Sequence, residues 1–150
     1  ENRMNKVKTT LLIFMISVSS AIFSSENIAD KRSTIYLDDE ERAVVLEEMR
    51  TFLSTLQKIT QGIVANDMAQ VSHAAKTMGN DASGGVSLSL IFKLPLGFKL
   101  LAADTHQKFD EIAIDASSFS DREHALEQVS VLMKNCVSCH ATYRIDLEDD

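Results

Sequence analysis

Residues 44–64 read VVLEEMRTFLSTLQKITQGIV. Val45, Met49, Phe52, Leu56, Ile59 and Ile63 recur there at steps of four and three, the spacing that lines side chains along one side of an α-helix. Val44, Leu46 and Leu53 widen that stripe into a face suited to a bundle core. Just upstream, Asp38-Asp39-Glu40-Glu41 puts negative charge where a helix N-terminus favours it. The pattern predicts a first helix over residues 38–64.

Outward from this helix the chain repeats the theme. Residues 26–37 read as a short exposed lead-in. Downstream, Asn66 or Asp67 can cap a shorter second helix with Met68, Val71, Ala75 and Met78 as its apolar edge, stopping at Gly79. Residues 79–94 read as irregular, yet Val86 to Phe92 is apolar, so this loop should fold back over a core or a cofactor. Pro95 suits the first turn of a third helix, whose stripe Leu101, Thr105, Phe109, Ile112 and Ala116 runs to residue 117. Ser120-Asp121-Arg122-Glu123 has the form of a capping box with Ser120 as N-cap. A fourth helix follows, with Ala125, Val129, Leu132, Cys136, Cys139 and Tyr143 on one stripe, flanked by Leu126, Met133 and His140. Four amphipathic helices on mostly short loops predict an all-α fold, an antiparallel four-helix bundle over residues 26–150.

Composition supports this. The chain has 150 residues, enough for one domain with a core. With five glycines, one proline and only 6% aromatic residues it lacks the turn-punctuated β-branched and aromatic runs of a β protein. Its net charge of −7 and the absence of a basic cluster argue against a nucleic-acid partner. Residues 1–25 have the layout of a secretory signal peptide: basic Arg3, Lys6 and Lys8, apolar Leu11 to Phe23, and the small residues Ser19-Ser20-Ala21. The apolar part is short for a membrane span; an uncleaved anchor is the alternative. Export implies a periplasmic protein and a setting in which two cysteines could form a disulfide.

The only two cysteines stand three apart in CVSCHATYR, Cys136 to Arg144. On a helix Cys136, Cys139 and His140 share one face and can reach one object lying against it. C-x-x-C-H is the signature of covalent c-type haem attachment, with the thiols bound as thioethers and the histidine as axial ligand to iron. Three other readings stand beside it. A disulfide or thioredoxin-like pair belongs at a helix start after a strand, a context not visible here. A zinc site needs a fourth ligand, and His73 and His106 lie at no recognisable ligand spacing. Chance placement is the third.

A helical bundle with its C-x-x-C-H on the last helix resembles the class II c-type cytochromes, the cytochrome c-prime group, and His140-Ala-Thr-Tyr143-Arg144 matches the aromatic residue and arginine that follow the histidine there. The resemblance covers residues 38–145. It implies one covalent haem c with its iron, and Arg144 near the proximal side and the propionates; otherwise Arg144 is a solvated cation at a helix C-terminus. It also implies that the first helix fills the distal position. Met49 there makes a closed His/Met electron carrier; Leu46 there leaves an open iron that binds NO or CO. Phe52 and Leu53 line the pocket in either case, and Met68 and Met78 are weaker ligand candidates. The implied partners are redox proteins, with a possible homodimer through the first two helices.

The remaining polar residues say less. His106 either approaches the haem or borders the core, the second being preferred, while His73 and His124 read as solvent-facing. Glu47 and Glu48 form no acid–base pair with a nucleophile. No Ser/His/Asp arrangement or phosphate-binding glycine loop is evident, so nothing asks for substrate turnover.

Overall fold

A computed structural model of the chain describes residues 29–84 and 86–148. Residues 1–25, for which the sequence suggests a signal peptide, lie outside the described residues. The chain divides into units 1–31 and 32–150, and every described element belongs to the second.

In chain order the elements are β1 (Ser33–Leu37), α1 (Asp39–Ala65), α2 (Met68–Lys76), a 3-10 turn (Asn80–Ser83), α3 (Leu88–Lys93), α4 (Leu96–Phe119), α5 (Arg122–Thr142) and β2 (Tyr143–Leu147). The fold is therefore mostly helical. None of the described helices is long and apolar enough to cross a membrane.

The helix starts follow local chemistry. Asp38 caps α1 in a full capping box: it accepts from Glu41 N at 2.8 Å while Glu41 Oε2 accepts from Asp38 N at 3.3 Å. Asn66, at φ 55°, closes α1 in the left-handed conformation, and Asp67 opens α2. Between α4 and α5 the expected capping box is not used as such. Ser120 takes φ 52° and ends α4, while Asp121 accepts from the amides of Glu123 and His124. With a single turn joining two helices, the residue that reverses the chain cannot also cap the next helix.

Buried side chains form two clusters. The larger draws on α1, α2, α4 and α5, including Phe52, Ile59, Ile63, Val71, Phe109, Ile112, Val129 and Leu132. α2 packs against both α1 and α4, and α4 against α5. Gly62 permits the α1–α2 approach, because a Cβ there would stand 2.8 Å from Val71 Cγ2. On α1 the predicted stripe from Met49 to Ile63 faces this core, while Val44 and Leu53 are exposed, Leu53 by 71%; the buried face is narrower than the sequence suggested.

The second cluster was not expected. Residues 33–37 form a strand rather than an exposed lead-in, with Ile35 and Leu37 buried and Tyr36 outward. β1 pairs in parallel with β2, Ser33 opposite Tyr143 through Leu37 opposite Leu147. Tyr143 and Arg144 thus leave the helix: Tyr143 turns to φ −120°, ψ 148° and begins β2. The strand backbones satisfy each other across the whole chain length. Ile35, Leu37, Val45, Leu90 and Phe98 make this cluster. Residues 79–94 are correspondingly less irregular than predicted, since α3 places Leu90 in this core while Leu88 and Phe92 face outward.

Candidate functional site

The motif occupies the last two turns of α5, which ends two residues after His140. Cys136 and Cys139 are free and half-buried; the disulfide weighed from the sequence is not formed. Cys136 packs against the larger core and Cys139 against the smaller. Burial pushes both thiols above the ordinary cysteine value, and Cys136 adds to the shift at Cys139. Such thiols are mostly protonated at neutral pH, unlike those of a thioredoxin-type pair.

A cavity of about 460 Å³ opens between α1, α4 and α5. Cys136, Cys139 and His140 line it from α5, and Met49, Phe52, Leu53 and Leu46 from α1. Phe98, Leu101, Ala102 and Thr105 of α4 form the third wall. The sequence-predicted residues of α1 and α5 thus meet at one mostly apolar space. Its walls are braced from behind. Phe52 stacks on Phe109 at 5.5 Å between ring centroids, and Asn135 Nδ2 donates to Asp104 Oδ2 at 2.6 Å, tying α5 to α4. The same bond holds the Asp104 carboxyl below its ordinary value, against its desolvation and with help from Lys108.

Arg144 is the exception. It lines not this cavity but a neighbour of about 270 Å³, together with Leu46, Met49, Phe98, Cys139, His140, Arg42 and Arg32. As a residue of β2 it bonds Asp146 at 3.0 Å and is not a helix-terminal cation. Tyr143 lines this smaller space too, its ring edge-on to Phe98 at 5.7 Å. Gly97 gives it room, since a Cβ there would stand 2.5 Å from the Tyr143 hydroxyl.

Met68 and Met78 are buried in the larger core and line neither cavity. His73 and His124 are exposed, His124 paired with Asp115 at 3.0 Å. His106 borders the core, buried behind Phe52, with Nδ1 2.9 Å from the Met78 carbonyl and Nε2 3.3 Å from Glu48. Among the described residues of 79–94, none lines either cavity.

Two residues were overlooked in the sequence. Arg42 stands four and seven positions before Leu46 and Met49, so helical spacing alone places it on their face. Arg32 carries no such local signal, because only strand pairing brings it to the site.

Among the described residues no set of three or more His, Cys, Asp or Glu side chains is placed to hold a metal ion. A haem brings four nitrogens of its own and asks the chain only for axial ligands and anchors. Comparison with protein-family models, curated proteins and solved structures gave no match.

Proposed function

We propose that this chain is an exported, periplasmic monohaem c-type cytochrome of the class II kind, serving as a one-electron carrier to redox partner proteins. The carrying observation is that Cys136, Cys139 and His140 from α5 and Met49 from α1 line one cavity. The residues fit the group. The space is of ligand-pocket size, its walls are mostly apolar, and thiols and imidazole share one helix face. Bound haem supplies an iron that gains and loses one electron. In this reading Cys136 and Cys139 would hold it through thioethers, and His140 and Met49 would be the residues that ligate its iron. Phe52 and its neighbours keep water out. α1, α2, α4 and α5 are the four helices of an antiparallel bundle, to which α3 and the strand pair are additions.

Leu46 lines the same cavity and supports a second reading, an open five-coordinate iron that binds NO or CO. Visible spectra of the full chain matured with haem in a periplasm separate the two. The carrier should give a low-spin spectrum, a methionine-to-iron band and no response to CO, and Met49→Ala should abolish that band. A high-spin spectrum shifted by CO transfers the assignment to the gas-binding form. No haem stain after denaturing electrophoresis would sink both.

A further inference from the structure

α3 is built against the usual rule for a surface helix. Leu90 is its one buried residue and fills the smaller core. On the outward side Leu88, Ile91 and Phe92 share a face at steps of three and four, and all are exposed, Phe92 by 83%. At the start of α4, Leu96 and Leu100 lie one turn apart and are exposed as well. Lys99 joins the two ridges, since its Nζ donates to the Ile91 carbonyl at 3.3 Å. None of these side chains lines either cavity of the candidate site. The expectation that this run covers a core or a cofactor is met by Leu90, with Val86 and Leu94 beside it; the outward face is left without a role.

Charge singles out the same run. Residues 82–103 carry Lys93 and Lys99 and no Asp or Glu, in a chain that holds 22 carboxylates and a net charge of −7. Lys93 is taken up by Glu41, Glu148 and Asp38. Lys99 has no ion-pair partner among the described residues, and its stem lies along the apolar ridges. An anionic surface repels this chain wherever carboxylates stand, so the run that offers apolar contact also selects the orientation of approach. Composition separates lipid from protein as the occupant. The run has no Tyr, Trp or Arg, the residues that anchor protein interfaces, whereas Leu and Phe beside Lys are the set that enters a bilayer surface.

We propose that the outward face of α3 and the first turn of α4 is a docking surface for an anionic lipid bilayer. Leu88, Ile91, Phe92, Leu96 and Leu100 enter the boundary between headgroups and acyl chains, and Lys99 meets the lipid phosphates. The assignment does not rest on the haem reading.

The chain has no tryptophan, so Phe92→Trp in the full chain puts a single emitter on this face. Vesicles of equal parts phosphatidylcholine and phosphatidylglycerol should shift its emission to the blue, and brominated lipid should quench it. Val64→Trp is the control. Glu41 accepts from Ser89 and Lys93, so α3 sits by the first turn of α1, and exposed Val64 lies about 35 Å further along that helix. Its emission should not move. Added to Phe92→Trp, Lys99→Gln should weaken binding about fivefold, and Leu88→Ser with Leu96→Ser by about tenfold or more. Residues 1–25 are the same in every variant, so any lipid affinity of their own cancels. Circular dichroism confirms that each variant is folded. The proposal falls if the Phe92→Trp emission is the same with and without vesicles, or if pure phosphatidylcholine serves as well. It falls too if that emission shifts with protein concentration in the absence of lipid, in step with a dimer seen on sedimentation, which would assign the face to a second copy.

Discussion

The two buried clusters of this molecule were built by different means. The larger is made of helix stripes: Phe52, Ile59 and Ile63 from α1 meet Val71 of α2, Phe109 and Ile112 of α4, and Val129 and Leu132 of α5. Each of those residues is fixed by a local period, so neighbours three and four apart share its fate. The smaller collects Ile35 and Leu37 from β1, Val45 from α1, Leu90 from α3 and Phe98 from α4, one or two residues from each element. No local period joins them. The proposed site lies on the seam, with Met49 packed against both clusters, Cys136 against the first and Cys139 against the second. A site placed there depends on both kinds of order.

The difference can be broken deliberately. Phe109→Ala removes a fully buried ring from the helical core and should cost about 3–5 kcal/mol. Thermal unfolding should fall in one transition, because four helices lose a common contact. Leu37→Ala, equally buried in the other cluster, should cost about 2–5 kcal/mol. There hydrogen exchange should quicken first in residues 33–37 and 143–147, with α1, α2 and α4 still protected. Equal protection loss in both variants would mean that the clusters are one cooperative unit.

A smaller effect tests the turn between α4 and α5. Asp121→Ala should lower stability by about 1 kcal/mol by removing the acceptor for Glu123 and His124. Ser120→Gly should cost nothing or stabilise slightly, since glycine suits φ 52°. A larger loss at Ser120 than at Asp121 would return the cap to Ser120.

The pH dependence should also divide the molecule. Glu41, on α1, is held below its ordinary 4.5 chiefly by the hydrogen bond from Lys93, with Ser89 and the Asp38 amide adding and burial opposing. Lys93 in turn reaches Glu148 just beyond β2, and its own value is raised by the same contacts, Glu41 first. This linkage is present above pH 4.5 and is lost as pH falls through the lowered value, so acid should loosen the strand region first. His106 runs the other way. Its value is raised above 6.5, first by Glu48, then with burial opposing and the Met78 carbonyl and the charges of Glu48 and Asp110 supporting. Its contribution is complete below pH 6.5 and is lost as pH rises through the raised value. Melting temperatures from about pH 2 to 9 should show both flanks, with His106→Gln flattening the alkaline one and Glu41→Gln the acid one.

Much of this was legible in sequence order. The run at 44–64 specified α1, and the same logic recovered α2, α4 and α5 nearly to the residue, because helix stripes and caps are written within a few positions of one another. The grouping of Cys136, Cys139 and His140 followed from the same period, as did the placement of Met49 and Phe52 on an inward face. What failed were features whose partners are distant. Residues 33–37 are too few for a reliable alternation, and their strand exists because residues 143–147 supply hydrogen bonds from the far end of the chain. Tyr143 and Arg144 continue a helical pattern by spacing, yet strand pairing and the ring of Phe98 take them out of the helix. Sequence alone determined which residues face one another along each helix, since that is a matter of backbone geometry over a single turn. Only the tertiary structure decided that Arg32, Arg42 and Arg144 would share a cavity beside His140, because their meeting depends on a register set across the whole chain.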